Sequence, residues 1–191
     1  MKKIILLLLI SLAGSIANAQ YKTFKFGDKK YESHCQKLSD GTVFLSIILD
    51  GIDPLKPNPQ LITMSKQQRV KLVSNLKMIR NKFLEYDSIC KRNNVENISR
   101  IINHEDDIDE QPIIVFDNDG KYYNVSPLRF AYVRIKGHGT MCLHSGKLVD
   151  AKDESIHSDG GLIMFYSTNE LDEIIQSFEE DEIMKYINLL N

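Results

Sequence analysis

The sequence predicts an α+β fold, in which a mainly antiparallel sheet of about six to eight strands packs against one long amphipathic helix and further helices follow at the C-terminus. Two observations lead to this prediction. Strand-like segments come in runs and do not alternate with helices, an order that is typical of antiparallel sheets. One segment, residues 66–92, carries apolar residues at helical spacing over almost its whole length.

The long helix is bounded by recognisable signals at both ends. Ser65 can cap its N-terminus, and Gln68 stands three residues later, where the partner in a capping box is expected. Asn93 and Asn94 end the pattern. The apolar stripe consists of Leu72, Leu76, Ile79, Phe83, Tyr86 and Cys90, at alternating spacings of four and three. A coiled coil is the alternative, but the stripe is short and lacks flanking charge pairs, so we expect the helix to pack on the sheet.

Strands are predicted on both sides of this helix. They cover residues 21–26, 31–37 and 42–49 before it, and residues 113–116, 121–125, 128–136, 140–144, 147–149 and 162–166 after it. Turn signals at residues 117–120 and at Ser145-Gly146 indicate two hairpins. Ser167 and Glu170 form a second capping box in front of an amphipathic helix, and a last helical segment follows.

The N-terminus has the three parts of a secretory signal peptide. Lys2 and Lys3 form a charged start, residues 4–10 are an unbroken apolar run, and Ala19 ends a sequence of small residues. We therefore predict cleavage between Ala19 and Gln20. This division leaves residues 20–191 as a single α+β domain behind the signal peptide at residues 1–19.

A membrane anchor is the alternative interpretation of this N-terminal segment. A spanning helix needs about 20 apolar residues, whereas Ser11, Gly14 and Asn18 interrupt the run here. The sequence thus predicts an exported protein, periplasmic or secreted, that keeps no stable membrane anchor after cleavage.

The composition argues against one class of partner. The chain is 42% hydrophobic and 26% charged, which is ordinary for a globular protein. Its formal charge of −2 becomes −4 once Lys2 and Lys3 leave with the signal peptide. Because nucleic-acid binders are net basic, we expect no nucleic-acid partner.

Three cysteines in an oxidising compartment permit one disulfide and leave one thiol over. Cys90 falls on the apolar stripe of the long helix, so we expect it to be a buried thiol. Cys35 and Cys142, both on predicted strands, then form the candidate disulfide. The alternative is that all three are simply buried.

One acidic turn has part of a calcium-binding pattern. Counted from Asp117, an EF-hand loop requires glycine at position 6 and an oxygen ligand at position 12. Tyr122 and Leu128 stand there instead. We interpret residues 117–120 as a hairpin turn, for which Asp-Gly supplies the positive φ.

A short cluster of His138, Cys142 and His144 contains ligand types that zinc uses, and His34 lies elsewhere in the chain. Structural zinc motifs usually pair their ligands in two separate groups, and only one group is visible here. As a nucleophile, Cys142 would need a histidine base placed across the fold, and no known catalytic motif is present. The sequence therefore predicts no catalytic residue, no cofactor and no metal.

Charge is segregated along the chain. Residues 65–93 contain eight basic and two acidic residues, whereas residues 95–120 contain eight acidic residues and one arginine. One interpretation is a solvated helix face and a solvated loop, partly paired with each other. The other is a surface that steers a charged partner, with Arg69, Lys77 and Arg80 as the candidate partner-binding residues.

Three classes of function remain. The sequence favours a non-enzymatic, protein-binding or inhibitor-like module of the periplasm or exterior, whose partner is another envelope or secreted protein. A small secreted hydrolase with an unfamiliar active site is the first alternative. The second is an accessory protein of a cell-envelope assembly, for which the aromatic-rich strand at residues 21–26 would add to a partner's sheet.

Overall fold

The computed structural model describes residues 17–38, 41–51, 60–102, 115–116, 122–125, 128–145, 148–150, 157–158 and 160–189. The strands within these residues are β1 (Ala17–Phe26), β2 (Lys29–Lys37), β3 (Val43–Gly51), β4 (Gln60–Met64), β5 (Ile98–Ile102), β6 (Val115–Phe116), β7 (Tyr122–Val125), β8 (Arg129–Ile135), β9 (His138–His144), β10 (Leu148–Asp150), β11 (His157–Ser158) and β12 (Gly161–Phe165). The helices are α1 (Lys66–Arg92), α2 (Thr168–Phe178) and α3 (Glu180–Leu189).

The strands form two antiparallel sheets. The larger sheet has eight strands in the order β1-β2-β3-β12-β9-β8-β5, with β4 paired to β3 beside this path. The smaller sheet has the order β11-β10-β7-β6. Strand β3 joins the two halves of the larger sheet, because residues 43–49 pair with β2 and β4 while Asp50 and Gly51 pair with β12. The sheets and the three helices confirm the predicted α+β class.

Helix α1 has the bounds that the sequence predicts. The Ser65 hydroxyl accepts a hydrogen bond from the Gln68 backbone N–H, and the Gln68 side chain accepts one from the Ser65 N–H at 2.7 Å. Asn93 is the C-cap, and Asn94 follows with a φ of 52°, which a right-handed helix cannot continue. The stripe residues Leu72, Leu76, Ile79, Phe83 and Cys90 are buried, and Tyr86 is half-buried.

The core lies between the helices and one face of the larger sheet. At one end it is aromatic, because Phe24, Phe26, Tyr31, Phe165 and Phe178 are all at most 1% exposed. The ring of Phe26 lies 5.1 Å from that of Phe165 and 5.6 Å from that of Tyr31. These contacts join the β1–β2 hairpin to β12, and each side chain of this size stabilises the fold by about 1.5–3 kcal/mol on burial.

The structure confirms one of the two predicted hairpins and corrects the other. Strands β6 and β7 pair as predicted, although their turn at residues 117–120 lies outside the described residues. The hairpin predicted around Ser145-Gly146 is wrong. Strand β9 pairs with β8 and β12, whereas β10 pairs with β7 and β11 in the smaller sheet. Both edges of β9 are occupied, so none remains for β10.

The predicted Cys35–Cys142 disulfide is not formed, and all three cysteines are free thiols. Cys35 lies on β2 and Cys142 on β9, with β3 and β12 between them in the sheet. Neighbouring strands are about 4.8 Å apart, so three spacings far exceed the roughly 7 Å that a disulfide can bridge between Cα atoms. Cys90 is buried as expected.

Most of the predicted signal peptide, residues 1–16, lies outside the described residues. Residues 17–19 form the start of β1 and pair with β2, from Ala17–Lys37 to Ala19–Cys35. The Tyr186 hydroxyl on α3 donates a hydrogen bond to the Gln20 carbonyl at 2.7 Å, so β1 stays anchored to α3 from Gln20 onward.

Of the helices in the described segments, none combines the length and apolar character that a membrane crossing requires.

A row of ion pairs attaches α2 and α3 to α1. Arg69 pairs with Glu180, and Lys66 pairs with the same carboxylate at 3.0 Å. Lys77 pairs with Glu179 at 2.7 Å. We call these pairs, together with that of Arg80 and Asp172, the ionic seam. Arg69 is only 1% exposed, and its Nε and Nη1 atoms have no hydrogen-bond partner among the described residues.

The seam leads to a stability prediction about its buried member. Glu180→Gln should lower the free energy of unfolding by about 2–3 kcal/mol, because it leaves the Arg69 guanidinium buried without a counter-charge. Arg69→Met should cost less, since it also removes the two unpartnered donors. Glu179→Gln is the matched control and should cost less than about 1 kcal/mol, because its pair with Lys77 is exposed. Urea unfolding measures all three, and equal losses for Glu179→Gln and Glu180→Gln would contradict the prediction.

Candidate functional site

The three predicted partner-binding residues all lie in the ionic seam. Arg80 donates two hydrogen bonds to Asp172, at 2.5 and 2.9 Å, and Arg69 and Lys77 are engaged with α3 and the residue before it. The sequence places these cations in one band of α1, but it does not show that the carboxylates of the C-terminal helices cover that band. All three cations are therefore ion-paired within the molecule, and the steering surface stays a prediction.

The His/Cys cluster is spread along β9. His138 begins the strand, and Cys142 and His144 are half-buried between the buried Met141 and Leu143. Burial lowers the pKa of His144, and Arg129 lowers it further. No group of three or more histidine, cysteine or acidic residues in the described segments is arranged to hold a metal ion.

An open groove of about 650 Å³ lies where three elements meet: the last turns of α1, the turn between β8 and β9, and the start of α2. The walls combine apolar, charged and backbone groups. They are formed by Phe83, Leu84, Asp87, Lys91, Gly137, His138, Gly139, Thr140, Tyr166, Ser167 and Thr168. We call this feature the α1–β9 groove.

The floor of the groove is built around Asp87. One of its carboxylate oxygens accepts a hydrogen bond from Arg134 at 2.5 Å and one from the Tyr132 hydroxyl at 3.4 Å. The other oxygen pairs with Lys91 at 2.6 Å. Arg134 is buried, and its Nε donates to the Val95 carbonyl at 2.8 Å. A network with this many intramolecular contacts holds the floor in one arrangement.

Electrostatics keep the floor charged. Burial alone would raise the pKa of Asp87, but hydrogen bonds and charge from Lys91 and Arg134 outweigh it and hold the pKa below its ordinary value of 3.8. Burial raises the pKa of the Tyr132 hydroxyl, so this group remains a neutral donor. The groove therefore presents the Asp87 carboxylate, which the buried Arg134 holds from behind, together with the cation of Lys91.

Gly139 allows strand β9 to pass directly over this floor. A Cβ atom at this position would lie 2.6 Å from the Tyr132 hydroxyl and 2.8 Å from the nearer Asp87 carboxylate oxygen. Next to it, Lys136 and Gly137 form a two-residue turn with φ values of 50° and 81°, as a type I′ hairpin requires. The turn places His138 at the groove wall.

The opposite wall is the start of α2. The Ser167 hydroxyl accepts a hydrogen bond from the Glu170 N–H, and the Glu170 carboxylate accepts bonds from the backbone N–H groups of Tyr166 and Ser167. The same carboxylate also accepts one from the Gly27 N–H at 3.0 Å, which ties the β1–β2 turn to this wall. The capping box that the sequence predicts is thus confirmed and is part of the groove.

The arrangement is suited to binding. Ser167 serves as a helix cap, and Asp87 is ion-paired twice, so neither is presented as a nucleophile or a base. The exposed groove residues are the apolar Leu84 and Tyr166, 50% and 45% accessible, and the polar Lys91 and His138. Apolar surface with a few oriented polar groups is typical of sites that hold a ligand or a segment of another protein.

Sequence reasoning did not find this groove. Phe83 was recognised as a core residue, but Asp87, Arg134 and Gly139 have no signal in isolation, because they come together only when β8 and β9 pack under α1. The one local signal is the glycine-containing interruption at residues 137–139, between the predicted strands 128–136 and 140–144.

No protein-family model, no curated protein and no solved structure matches this chain.

Gly139 leads to a prediction about close approach. Gly139→Ala should cost about 1–3 kcal/mol of unfolding free energy, because the new methyl group meets the Tyr132 hydroxyl. Tyr132→Phe removes that oxygen, so the double variant should lose less than the sum of the two single variants. Gly137→Ala is the control, since its cost comes from the positive φ and nothing lies within 4 Å. Its loss should add to that of Tyr132→Phe, and a double-mutant cycle in urea that gives equal coupling for both glycines would exclude the proposed contact.

Asp87 leads to a pH prediction. Its folded pKa lies below its ordinary value, so its stabilising effect is complete above about pH 5 and declines as the pH falls through the folded pKa. The difference in unfolding free energy between the wild type and Asp87→Asn should therefore be constant near neutrality and shrink below about pH 4. Chemical unfolding from pH 2.5 to 7 measures this difference. Glu85→Gln, which removes only the exposed pair with Lys82, should cost less than about 1 kcal/mol at every pH.

Proposed function

We propose that this protein is a non-enzymatic protein-binding module that holds a segment of a second protein in the α1–β9 groove. The observation that carries this proposal is the groove itself: exposed apolar side chains stand beside a cation, above a floor whose polar groups are already satisfied.

Shape and rigidity support binding of a polypeptide segment. The groove is open to solvent and is not an enclosed cavity, so a polypeptide segment can enter it. Its floor is held by Asp87, Tyr132 and Arg134, and its walls by a tight turn and a capped helix start. A surface that is already ordered loses little conformational freedom on association, which favours affinity.

Lys91 and the two exposed apolar residues favour a segment of mixed character. Leu84 and Tyr166 offer apolar area to a partner side chain, and aromatic residues of this kind are enriched in protein interfaces. Lys91 is 67% exposed despite its pair with Asp87, so it remains available to a carboxylate of the partner. Such a rim charge contributes more to the association rate than to affinity.

The partner belongs, on this proposal, to the same compartment as the protein. The signal-peptide pattern at residues 1–19 supports export, which makes another envelope or secreted protein the class of partner. The commitment of Ser167 and Asp87 to structural contacts supports binding over hydrolysis.

The proposal is tested by capture in the source cells. A C-terminally tagged chain is expressed there, cross-linked, and its partners are quantified by mass spectrometry. Leu84→Asp should reduce recovery of the main partner at least about tenfold, because it puts a charge on the apolar part of the groove. Val70→Asp is the control, since Val70 is 56% exposed on the same helix and outside the groove.

Thermal unfolding followed by circular dichroism verifies that both variants fold. A partner recovered equally with Leu84→Asp and with Val70→Asp would contradict the proposal. So would the absence of any stoichiometric partner from the wild-type capture.

A further inference from the structure

A second surface of the molecule is the outer edge of β5. This strand ends the path of the larger sheet and pairs, among the described strands, with β8 alone, in the register Ile98–Arg134 to Ile102–Phe130. Its first four residues are exposed. An edge with unpaired backbone N–H and C=O groups is a template for another extended chain.

The side chains of β5 divide between the two faces of the sheet. Arg100 is opposite Tyr132 on the helix side, where its guanidinium lies 5.1 Å from the Tyr86 ring centroid. Ile101 is opposite Ala131 on the other side and is 56% exposed. Ile135, at the far end of β8, is also exposed. The edge therefore carries the exposed Ile98 and Arg100 on the helix side and the exposed Ile101 on the other side.

A second copy of the chain is a poor occupant of this edge. Antiparallel pairing of two β5 strands about their centres would place Arg100 of each copy opposite the other, and like charges directly opposite destabilise a strand pair. Charged side chains on edge strands are a common device against self-pairing.

Among the described residues, the exposed charge beside the N-terminal end of β5 favours an acidic occupant. Arg92, Lys136 and Arg100 are exposed here, with Glu96 as the acidic residue between α1 and β5. We propose that β5 is a docking edge for an extended acidic segment of another protein, which adds to the larger sheet as a strand. Main-chain hydrogen bonds hold the added strand, a carboxylate pairs with Arg100 on the helix side, and apolar side chains contact Ile101 on the other side.

The proposal does not depend on the α1–β9 groove, because β8 and β9 separate β5 from the α2 wall of that groove. A five-residue edge supports weak binding of an isolated peptide, so the test uses short probes at high concentration. Three labelled peptides of about six residues, the usual length of a strand, serve as probes. One alternates Glu with Val, one alternates Lys with Val, and one is the Glu peptide with a central proline.

Fluorescence anisotropy with the full chain measures the binding. The Glu-Val peptide should bind saturably, and the Lys-Val peptide at least about tenfold more weakly. The proline peptide should lose binding to a similar extent, because it has the same charge but cannot form a continuous strand. Amide shift changes in NMR spectra should appear at residues 98–102.

Substitutions at the edge identify the contacts. Ile101→Glu should weaken the Glu-Val peptide at least about tenfold, and Arg100→Glu should reverse the preference toward the Lys-Val peptide. Val70→Glu, equally exposed on α1, should change nothing. Leu84→Asp should also leave peptide binding unchanged, which distinguishes a failure of this proposal from a failure of the proposed groove function.

Three results would overturn the proposal. One is the absence of saturable binding by the Glu-Val peptide. Another is amide shift changes at residues 137–140 in place of β5. The third is a concentration-dependent dimer in analytical ultracentrifugation that Ile101→Glu abolishes and Val70→Glu does not, since that would assign the edge to a second copy of the chain.

Discussion

The buried charge of Arg69 constrains the whole C-terminal part of this fold. A guanidinium that is almost fully enclosed must have a counter-charge, and Glu180 at the start of α3 supplies it. Because Glu180 follows α2 by two residues, the pair determines where α2 ends and α3 begins against α1. The outer pairs of the seam, Lys77–Glu179 and Arg80–Asp172, are partly exposed and add little stability, so the buried apolar side chains of α2 hold its orientation. An ionic contact of this kind specifies the arrangement of helices that apolar packing alone would leave less uniquely determined.

The position of α2 has consequences for the other end of that helix. Since α2 follows β12 after only two residues, anchoring the helix on α1 also places Tyr166 and Ser167 opposite the β8–β9 turn. Glu170 connects this point to the β1–β2 turn through the Gly27 N–H, and Tyr166 packs so closely on Gly27 that no side chain fits there. The α1–β9 groove is thus bounded on one side by the start of a helix that is attached both to α1 and to the β1–β2 turn.

Local signals predicted local structure well. The capping boxes at Ser65 and Ser167 and the regular apolar stripe define α1 and the start of α2 because capping and periodicity act within a few residues. Strand pairing is not local. Ser145-Gly146 has the composition of a hairpin turn, yet β9 lies between β8 and β12, and no sequence signal reports that its edges are occupied. The same limit explains the misassigned Cys35–Cys142 disulfide and the unpredicted β5, whose four exposed residues follow no alternation. The groove floor is formed by residues from three separate elements, Asp87, Arg134 and Gly139. Their proximity could be predicted only from the order of the strands in the sheet, which the sequence does not show.

The groove and the β5 edge share one support. Residues 95–97, which connect α1 to β5, are held to the β8–β9 hairpin by three hydrogen bonds: Arg134 to the Val95 carbonyl, Gly137 N–H to the Glu96 carbonyl, and Lys136 N–H to the Asn97 side chain. Arg134 also reaches Asp87 in the groove floor, so the same guanidinium joins both surfaces. Stable protein interfaces cover about 800 Å² on each partner, more than a groove or a short strand edge offers by itself. A partner that contacted both the α1–β9 groove and the β5 edge would bind on either side of the β8–β9 hairpin. Because Arg134 holds this hairpin in place, the distance between the two contacts would be constant.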